Sequence, residues 1–124
     1  MGLRILIVDD ALFMRNMLRG IFMGAGHEVV GEAANGEEAV ERYRTLRPDL
    51  VTMDIVMPQR SGIEALKDIL SFHPQAQVVM CSALGQETLM AEAVEAGARD
   101  FIVKPFKAER VLEVANRLTA ATGG

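Results

Sequence analysis

The residues best suited to chemistry in this sequence each come directly after a short apolar run. They are the adjacent pair Asp9 and Asp10, then Asp54, Ser82 and Lys104. A single aspartate or serine at such a point usually caps a helix or begins a turn. When several apolar runs each end in a polar residue, a shared site is the better explanation, provided that the elements bring these residues together.

Three carboxylates in one place repel each other unless a cation lies among them. At separations of about 4 Å, the repulsion is about 4 kcal/mol for each pair at an effective dielectric constant of about 20. The acids have no histidine or cysteine beside them, which favours a hard divalent ion over zinc. Magnesium binds one or two carboxylates, keeps several waters and often takes a phosphoryl oxygen as a further ligand.

The other two polar ends suit a phosphoryl group. Lys104 carries a compact positive charge that can face phosphoryl oxygens, and Ser82 can donate a hydrogen bond to another of them. An acid nucleophile, a metal, a lysine and a hydroxyl together predict a phosphoryl-transfer site.

Five short apolar runs predict the strands that must position these side chains. Continuously apolar runs are typical of parallel strands that are covered on both faces. The shortest run is expected at an edge of the sheet. The predicted strands are Ile5–Val8, Val29–Val30, Leu50–Met53, Val78–Cys81 and Phe101–Val103.

Five amphipathic stretches with apolar residues three or four apart predict helices between and after the strands. Asn35 and Ser61 are predicted caps, each with a glutamate three residues on, and Gly97 is expected to end the fourth helix. The predicted helices run from about Leu12 to Met23, from Asn35 to before Arg47, from Ser61 to before Pro74, from Gln86 to Ala96 and from Lys107 to Leu118.

The five βα units predict an α/β fold, a flavodoxin-like (βα)5 arrangement with a doubly wound, parallel, five-stranded sheet. The strand order 2-1-3-4-5 is taken from known folds of this kind. In that order strands one and three are neighbours, and their carboxyl ends meet at the edge where ligands bind. Asp9, Asp10 and Asp54 are therefore expected to converge.

Composition predicts one domain, residues 1–120, followed by a short flexible tail, residues 121–124. The chain has 124 residues, half of them hydrophobic, which is enough for a single core. Its formal net charge of -4 gives no electrostatic footprint for nucleic acid.

The lone cysteine, Cys81, and the lack of any apolar run of about 20 residues predict a cytoplasmic protein without membrane attachment. It is expected to be a monomer. Cys81 is expected to be buried, and His27 and His73 to be solvated.

Four segments carry a resemblance to a known family. ILIVDD, DLVTMDIVMPQRSG, VVMCSA and DFIVKPF resemble the receiver domains of two-component response regulators, and the resemblance covers about residues 3–118. Within that family, LFMR and SALGQ are most like stand-alone chemotaxis proteins of the CheY group.

The resemblance implies that Asp54 accepts a phosphoryl group from a histidine kinase of the CheA type. It further implies that Asp10, Asp54 and the backbone carbonyl of Val56 hold Mg²⁺, with Asp9 acting through a bound water. Ser82 and Lys104 would contact the phosphoryl oxygens. Phe101 lies at the position of the family's switch aromatic, and the Lys104–Pro105 peptide at that of its cis bond.

The resemblance also implies protein partners. Since the sequence ends with its fifth helix, we expect the signal to leave through a surface that includes Lys107, Arg110 and Val111, with a flagellar switch protein as the receiver. Val56 and Leu84 are apolar where some relatives carry amide or acid side chains, so we expect a long-lived phosphoryl group and a possible phosphatase.

Other functions fit the residues less well. An aspartate-nucleophile phosphohydrolase needs a second acid two residues after the nucleophile, where this chain has Val56. A flavin carrier needs a phosphate-binding loop after strand one, where this chain has DDALF. A receiver that works without phosphorylation would lack Asp10, Asp54 or Lys104. A phosphorelay intermediate remains the alternative to a chemotaxis protein.

Overall fold

A computed structural model of the chain describes residues 2–123, and the side chains of residues 2–118. It contains one parallel sheet whose strand order is β2-β1-β3-β4-β5. The predicted fold class and strand order are confirmed. The strands are β1 (Arg4–Val8), β2 (Glu28–Ala33), β3 (Leu50–Asp54), β4 (Val78–Ser82) and β5 (Asp100–Val103).

Helices cover both faces of the sheet. On one face, apolar residues of α1 and α5 pack against Ile5 and Ile7 of β1. On the other, residues of α2, α3 and α4 pack against Leu6 and Val8. Successive strand residues point to opposite faces, so a strand covered twice is apolar throughout. The helices are α1 (Leu12–Gly24), α2 (Gly36–Leu46), α3 (Gly62–Phe72), α4 (Glu87–Ala96) and α5 (Ala108–Gly123).

Strand β2 lies at an edge, as predicted, but it is not the shortest strand. It has six residues, whereas β5 has four. Its polar residues Glu28 and Glu32 concealed its length, because an edge strand is not covered on all sides and tolerates charged residues. The pairing of β2 with β1 also shifts register between Ile5 and Leu6.

The predicted helix caps are confirmed. Asn35 accepts a hydrogen bond from the backbone N–H of Glu38 at 2.8 Å, and Ser61 forms a capping box with Glu64. The Glu38 carboxylate binds the N–H of Ala34, so Asn35 has only half of such a box.

Helix α5 continues to Gly123, five residues past its predicted end at Leu118. The added segment contains two alanines, which are the strongest helix formers. The flexible tail at residues 121–124 stays a prediction, since Gly124 lies outside the described residues.

Two histidines and one valine differ from their predicted surroundings. His27 and His73 are partly buried and bonded: His27 Nδ1 accepts the N–H of Leu3 at 3.0 Å, and His73 Nδ1 lies 2.6 Å from the hydroxyl of Tyr43. Val111 is completely buried, so it cannot belong to the exposed surface predicted for α5. Lys107, directly before α5, is exposed, and Arg110 is half-buried.

Cys81 is buried, as predicted. Among residues 2–123, none of the helices has both the length and the apolar content that crossing a bilayer requires.

Candidate functional site

The three predicted acids converge at the carboxyl edge of the sheet. Asp9 and Asp10 directly follow β1, and Asp54 is the last residue of β3, which pairs with β1 through Val8 and Met53. One carboxylate oxygen of each acid lies within 4.8 Å of the others. Asp9 and Asp54 are only 1% and 6% exposed, whereas Asp10 is exposed to solvent.

Lys104 follows β5 and reaches across the edge to two of the acids. Its Nζ lies 3.1 Å from Asp9 Oδ2 and 3.3 Å from Asp54 Oδ2. Burial by itself lowers the pKa of Lys104, but the hydrogen bond with Asp9 and the charges of both acids raise it above its ordinary value. The lysine therefore stays cationic at neutral pH.

The surroundings of Asp54 disfavour the ionised form of its carboxyl group. Burial and then the charge of Asp9 raise its pKa to about 6, against the opposing effect of Lys104. At neutral pH Asp54 is ionised, as a nucleophile must be, but its charge is poorly solvated. Any further cation at the cluster would stabilise this form.

The main chain around the acids is fixed by local hydrogen bonds. The N–H of Asp9 donates to the carbonyl of Ala33 at 3.0 Å, which extends the pairing of β1 with β2. The carboxylate of Asp9 accepts the N–H of Ala11 at 2.9 Å and so closes the turn into α1.

Gly62 brings helix α3 against the backbone of Asp54. Its N–H donates to the carbonyl of Ile55 at 2.9 Å. A Cβ atom at this position would lie 2.0 Å from the carbonyl oxygen of Asp54. Glycine is therefore required where the helix begins beside the predicted nucleophile.

The acids fit a hard divalent cation. Asp9 Oδ2 is buried and forms an ion pair with Lys104 at 3.1 Å. Lys104 brings one positive charge to three carboxylates, and buried charge that is not balanced is costly. Three carboxylates offering only oxygen are the ligand type that Mg²⁺ prefers.

Ser82 and Phe101 line the same cleft. Ser82 ends β4 and is buried, and its backbone carbonyl accepts the N–H of Lys104 at 2.7 Å. It lines a cleft of about 220 Å³ with Met90, Phe101 and Val103. Phe101 is 38% exposed. The roles of Ser82 and Phe101 remain predictions.

The two apolar residues linked to phosphoryl lifetime lie in the loops that follow β3 and β4. Val56 is 53% exposed and Leu84 is 82% exposed. Both are therefore free of the core, and their side chains face solvent near the strand ends. The metal-binding role of the Val56 carbonyl remains a prediction.

One group of residues beside the acids was not predicted. Arg15 and Arg19 of α1 both bind Glu32 of β2, and Arg15 also donates to the backbone carbonyl of Asp9. The spacing of four residues between the arginines places them on one face of α1. Nothing in the sequence shows that this face meets Glu32.

The fold and the cluster match one protein family. A profile of the response regulator receiver domain matches residues 5–116. The chain belongs to this family.

Within the family it is similar in sequence to chemotaxis proteins. It is 56% identical over 119 residues to chemotaxis protein CheY of Thermotoga maritima, covering 96% of this chain and 99% of that relative. It is 57% identical over 117 residues to chemotaxis protein CheY of Bacillus subtilis, covering 94% and 98%.

A solved structure shows a similar receiver in an assembly. A CheX–CheY–BeF3–Mg complex from Borrelia burgdorferi contains a chain that is 40% identical, with a TM-score of 0.87, covering 96% of this chain and 88% of that one.

Proposed function

We propose that this protein is a phosphorylated signalling switch of bacterial chemotaxis. The observation that carries the proposal is the Asp54 carboxylate, buried at a strand end, 3.3 Å from Lys104 Nζ and grouped with Asp9 and Asp10. A carboxylate so placed can act as a nucleophile toward phosphorus while a fixed cation faces the oxygens of the transferred group.

In the transfer step, an Asp54 oxygen attacks the phosphorus of a phosphohistidine on the kinase. The P–N bond breaks, its electron pair stays with the imidazole, and the phosphoryl group becomes an acyl phosphate on Asp54. Lys104 then faces the phosphoryl oxygens, and the hydroxyl of Ser82 donates to another. The protein thus catalyses only its own phosphorylation and dephosphorylation.

Asp10, Asp54 and the backbone carbonyl of Val56 would hold Mg²⁺, with Asp9 acting through a water. When bound, the ion neutralises part of the charge on the acids and the phosphoryl group. In the chain itself, Asp9 keeps Lys104 oriented, through the contact of 3.1 Å.

Similarity to chemotaxis proteins supports the physiological setting. We infer a cytoplasmic protein with a CheA-like histidine kinase as donor, a flagellar switch protein as output partner, and a phosphatase. The complex of a similar CheY with CheX supports a partner at the phosphorylated form. A phosphorelay intermediate would instead pass the phosphoryl group to a second histidine protein.

Output depends on a change at the cleft beside Ser82. When Ser82 moves toward a phosphoryl oxygen, Phe101 can turn from its half-exposed position into the cleft that they share. The surface of α4, β5 and α5 changes with it. The affinity of the flagellar switch protein should therefore rise when a phosphoryl analogue is bound, and equal affinity in both states would rule out the switch.

Phosphorylation by acetyl phosphate tests the proposal directly. With Mg²⁺, mass spectrometry should find one added phosphoryl group on the native protein and on Asp68→Asn, a control in α3. Asp54→Asn should take up none. Equal labelling of Asp54→Asn would exclude Asp54 as the acceptor, and transfer onward to a histidine protein would favour the phosphorelay alternative.

A further inference from the structure

Two arginines of α1 bind the same acid on the edge strand. Arg15 Nε donates to Glu32 Oε1 at 2.9 Å, and Arg19 Nε donates to Glu32 Oε2 at 2.9 Å. Burial raises the pKa of Glu32, but the hydrogen bonds from Arg19 and Arg15 outweigh it and lower the pKa. Glu32 is therefore a fixed anion that orients both guanidinium groups.

Arg15 extends this group to the predicted metal site. Its Nη1 donates to the main-chain carbonyl of Asp9 at 2.7 Å. The described hydrogen bonds of Arg19 instead go to Glu32 and to the sulfur of Met23. The Arg15 side chain is 16% exposed and that of Arg19 39%. The two arginines therefore share one acid, but only the more buried of them is bonded to Asp9 among the described contacts.

The carbonyl that Arg15 binds belongs to the peptide unit joining Asp9 to Asp10. A peptide unit is planar, so fixing its oxygen fixes the plane in which the N–H and Cα of Asp10 lie. The N–H and carboxylate of Asp9 are held by Ala33 and Ala11, within the sheet and the turn. Arg15 thus holds the part of this segment that leads into Asp10.

We propose that Arg15 is a positioning residue of the cation site, acting through the Asp9–Asp10 peptide. By holding that peptide, Arg15 keeps the carboxylate of solvent-exposed Asp10 beside that of Asp54, so that both can bind one cation. Glu32 in turn keeps Arg15 oriented. The inference rests on the proposed function, because it concerns a cation held by these acids.

Arginine suits this role better than lysine. Its planar guanidinium presents donors in fixed directions and can bind Glu32 and the Asp9 carbonyl together, whereas an ammonium group is a single flexible point. Arg15 and Arg19 share the single negative charge of Glu32. A variant of Arg19 therefore removes the same charge as a variant of Arg15 and separates a geometric effect on the acids from an electrostatic one.

The test compares Arg15→Met with Arg19→Met. Both variants lose one positive charge and an ion pair with Glu32, but only the first loses the bond to Asp9. Partners that orient metal ligands typically change metal affinity by about 10-fold or more when removed. We expect Arg15→Met to weaken Mg²⁺ binding by about 10-fold, and Arg19→Met to bind like the native protein, by isothermal titration calorimetry on fully folded samples.

A double-mutant cycle separates positioning from general destabilisation. Glu32→Gln should weaken Mg²⁺ binding in the native background but add nothing in Arg15→Met, because it acts through Arg15. Urea unfolding of each variant gives the change in stability. Arg15→Lys should remain folded and recover only part of the affinity, so it and Glu32→Gln carry the test if Arg15→Met does not fold.

The outcomes distinguish the two proposals. A native protein that binds no Mg²⁺ would overturn the proposed function. If the native protein, Arg15→Met and Arg15→Lys all bind Mg²⁺ with the same affinity, only the positioning role is overturned. Equal losses of affinity in the Arg15 and Arg19 variants would overturn it too, since they would reflect lost charge.

Discussion

Asp54 combines burial with a charge, and the two act against each other. The residue is 6% exposed and its nearest cation, Lys104, is shared with Asp9. The pKa of Asp54 is consequently raised to about 6 from an ordinary value of 3.8. The predicted nucleophile thus lies in a site that disfavours its charge, a common property of functional sites.

The raised pKa of Asp54 predicts that, without metal, Asp54→Asn stabilises the protein by an amount that depends on pH. Between about pH 4 and pH 6 the native state binds more protons at this site than the unfolded state, so the contribution of Asp54 to stability falls as pH rises through that window. At pH 7.5 Asp54→Asn should raise the free energy of unfolding by about 1–3 kcal/mol. Near pH 4 the gain should be much smaller.

Urea unfolding in EDTA at both pH values measures the effect. Glu41→Gln, which changes an exposed carboxylate of α2, is the control and should show no comparable difference. An Asp54→Asn protein that gains nothing at pH 7.5 would mean that the charge of Asp54 is well solvated in the folded state.

Val56 and Leu84 predict slow loss of the phosphoryl group. Hydrolysis needs a water in line with the departing Asp54 oxygen, and positioning groups act there mainly by orientation. Both residues lie in loops at the strand ends, but neither side chain can hydrogen-bond a water and so position it for attack. The double variant Val56→Asn with Leu84→Glu should lose radiolabelled phosphate several-fold faster than the native protein.

A variant elsewhere on the surface controls for general effects of added polarity. Val94→Asn changes a half-exposed valine of α4 and should lose its phosphoryl group at the native rate. If the double variant also loses its phosphoryl group at that rate, Val56 and Leu84 do not set the lifetime.

At the scale of elements, the start of α3 links helix capping to the site. Ser61 accepts the N–H of Glu64 at 3.2 Å, and the Glu64 carboxylate accepts the N–H of Ser61 at 3.1 Å. The next residue, Gly62, packs on the backbone of Asp54. The cap therefore stabilises a helix whose first turn adjoins the predicted nucleophile.

Removing the cap should lower stability without abolishing phosphorylation. Ser61→Ala should reduce the free energy of unfolding by about 1 kcal/mol, the usual value for a lost N-cap. Asp54 is also held by β3, so labelling by acetyl phosphate should persist. Ser71→Ala, whose hydroxyl bonds a carbonyl of its own helix, should change stability less. Equal effects of both variants in urea unfolding would show that the capping box adds nothing.

At the scale of the whole molecule, the acid cluster joins strands that are distant in sequence. Asp9 and Asp10 follow β1, Asp54 ends β3 and Lys104 follows β5. An ion held by these residues would bind the native state and not the unfolded chain. Such binding raises stability by mass action, by about 2.7 kcal/mol at a ligand concentration 100 times the dissociation constant.

Mg²⁺ should therefore raise the melting temperature of the native protein. Asp10→Ala removes a predicted ligand and should abolish most of the rise, while melting no lower than the native protein in EDTA because carboxylate repulsion is reduced. Thermal unfolding by circular dichroism measures both, with sodium chloride at matched ionic strength as the control. An unchanged melting temperature at saturating Mg²⁺ would contradict the cation site.

The order of the elements and the acids of the site were predictable from local patterns in the sequence. Apolar runs and capping residues such as Ser61 are local signals, so strands and helices other than β2 and the end of α5 were predicted close to their observed bounds. Once the strands are parallel, polar residues at their carboxyl ends must share one edge, and Asp54 and Lys104 follow from that rule.

Which side chains meet across elements depends on how the elements pack together. The length of β2, the burial of Val111, the hydrogen bond of His27 and the bond from Arg15 to Asp9 were not predictable. Each depends on the rotation of a helix about its axis and on the register of neighbouring strands. Periodicity gives which residues of one element share a face, but the packing of all the elements together selects the partner that the face contacts.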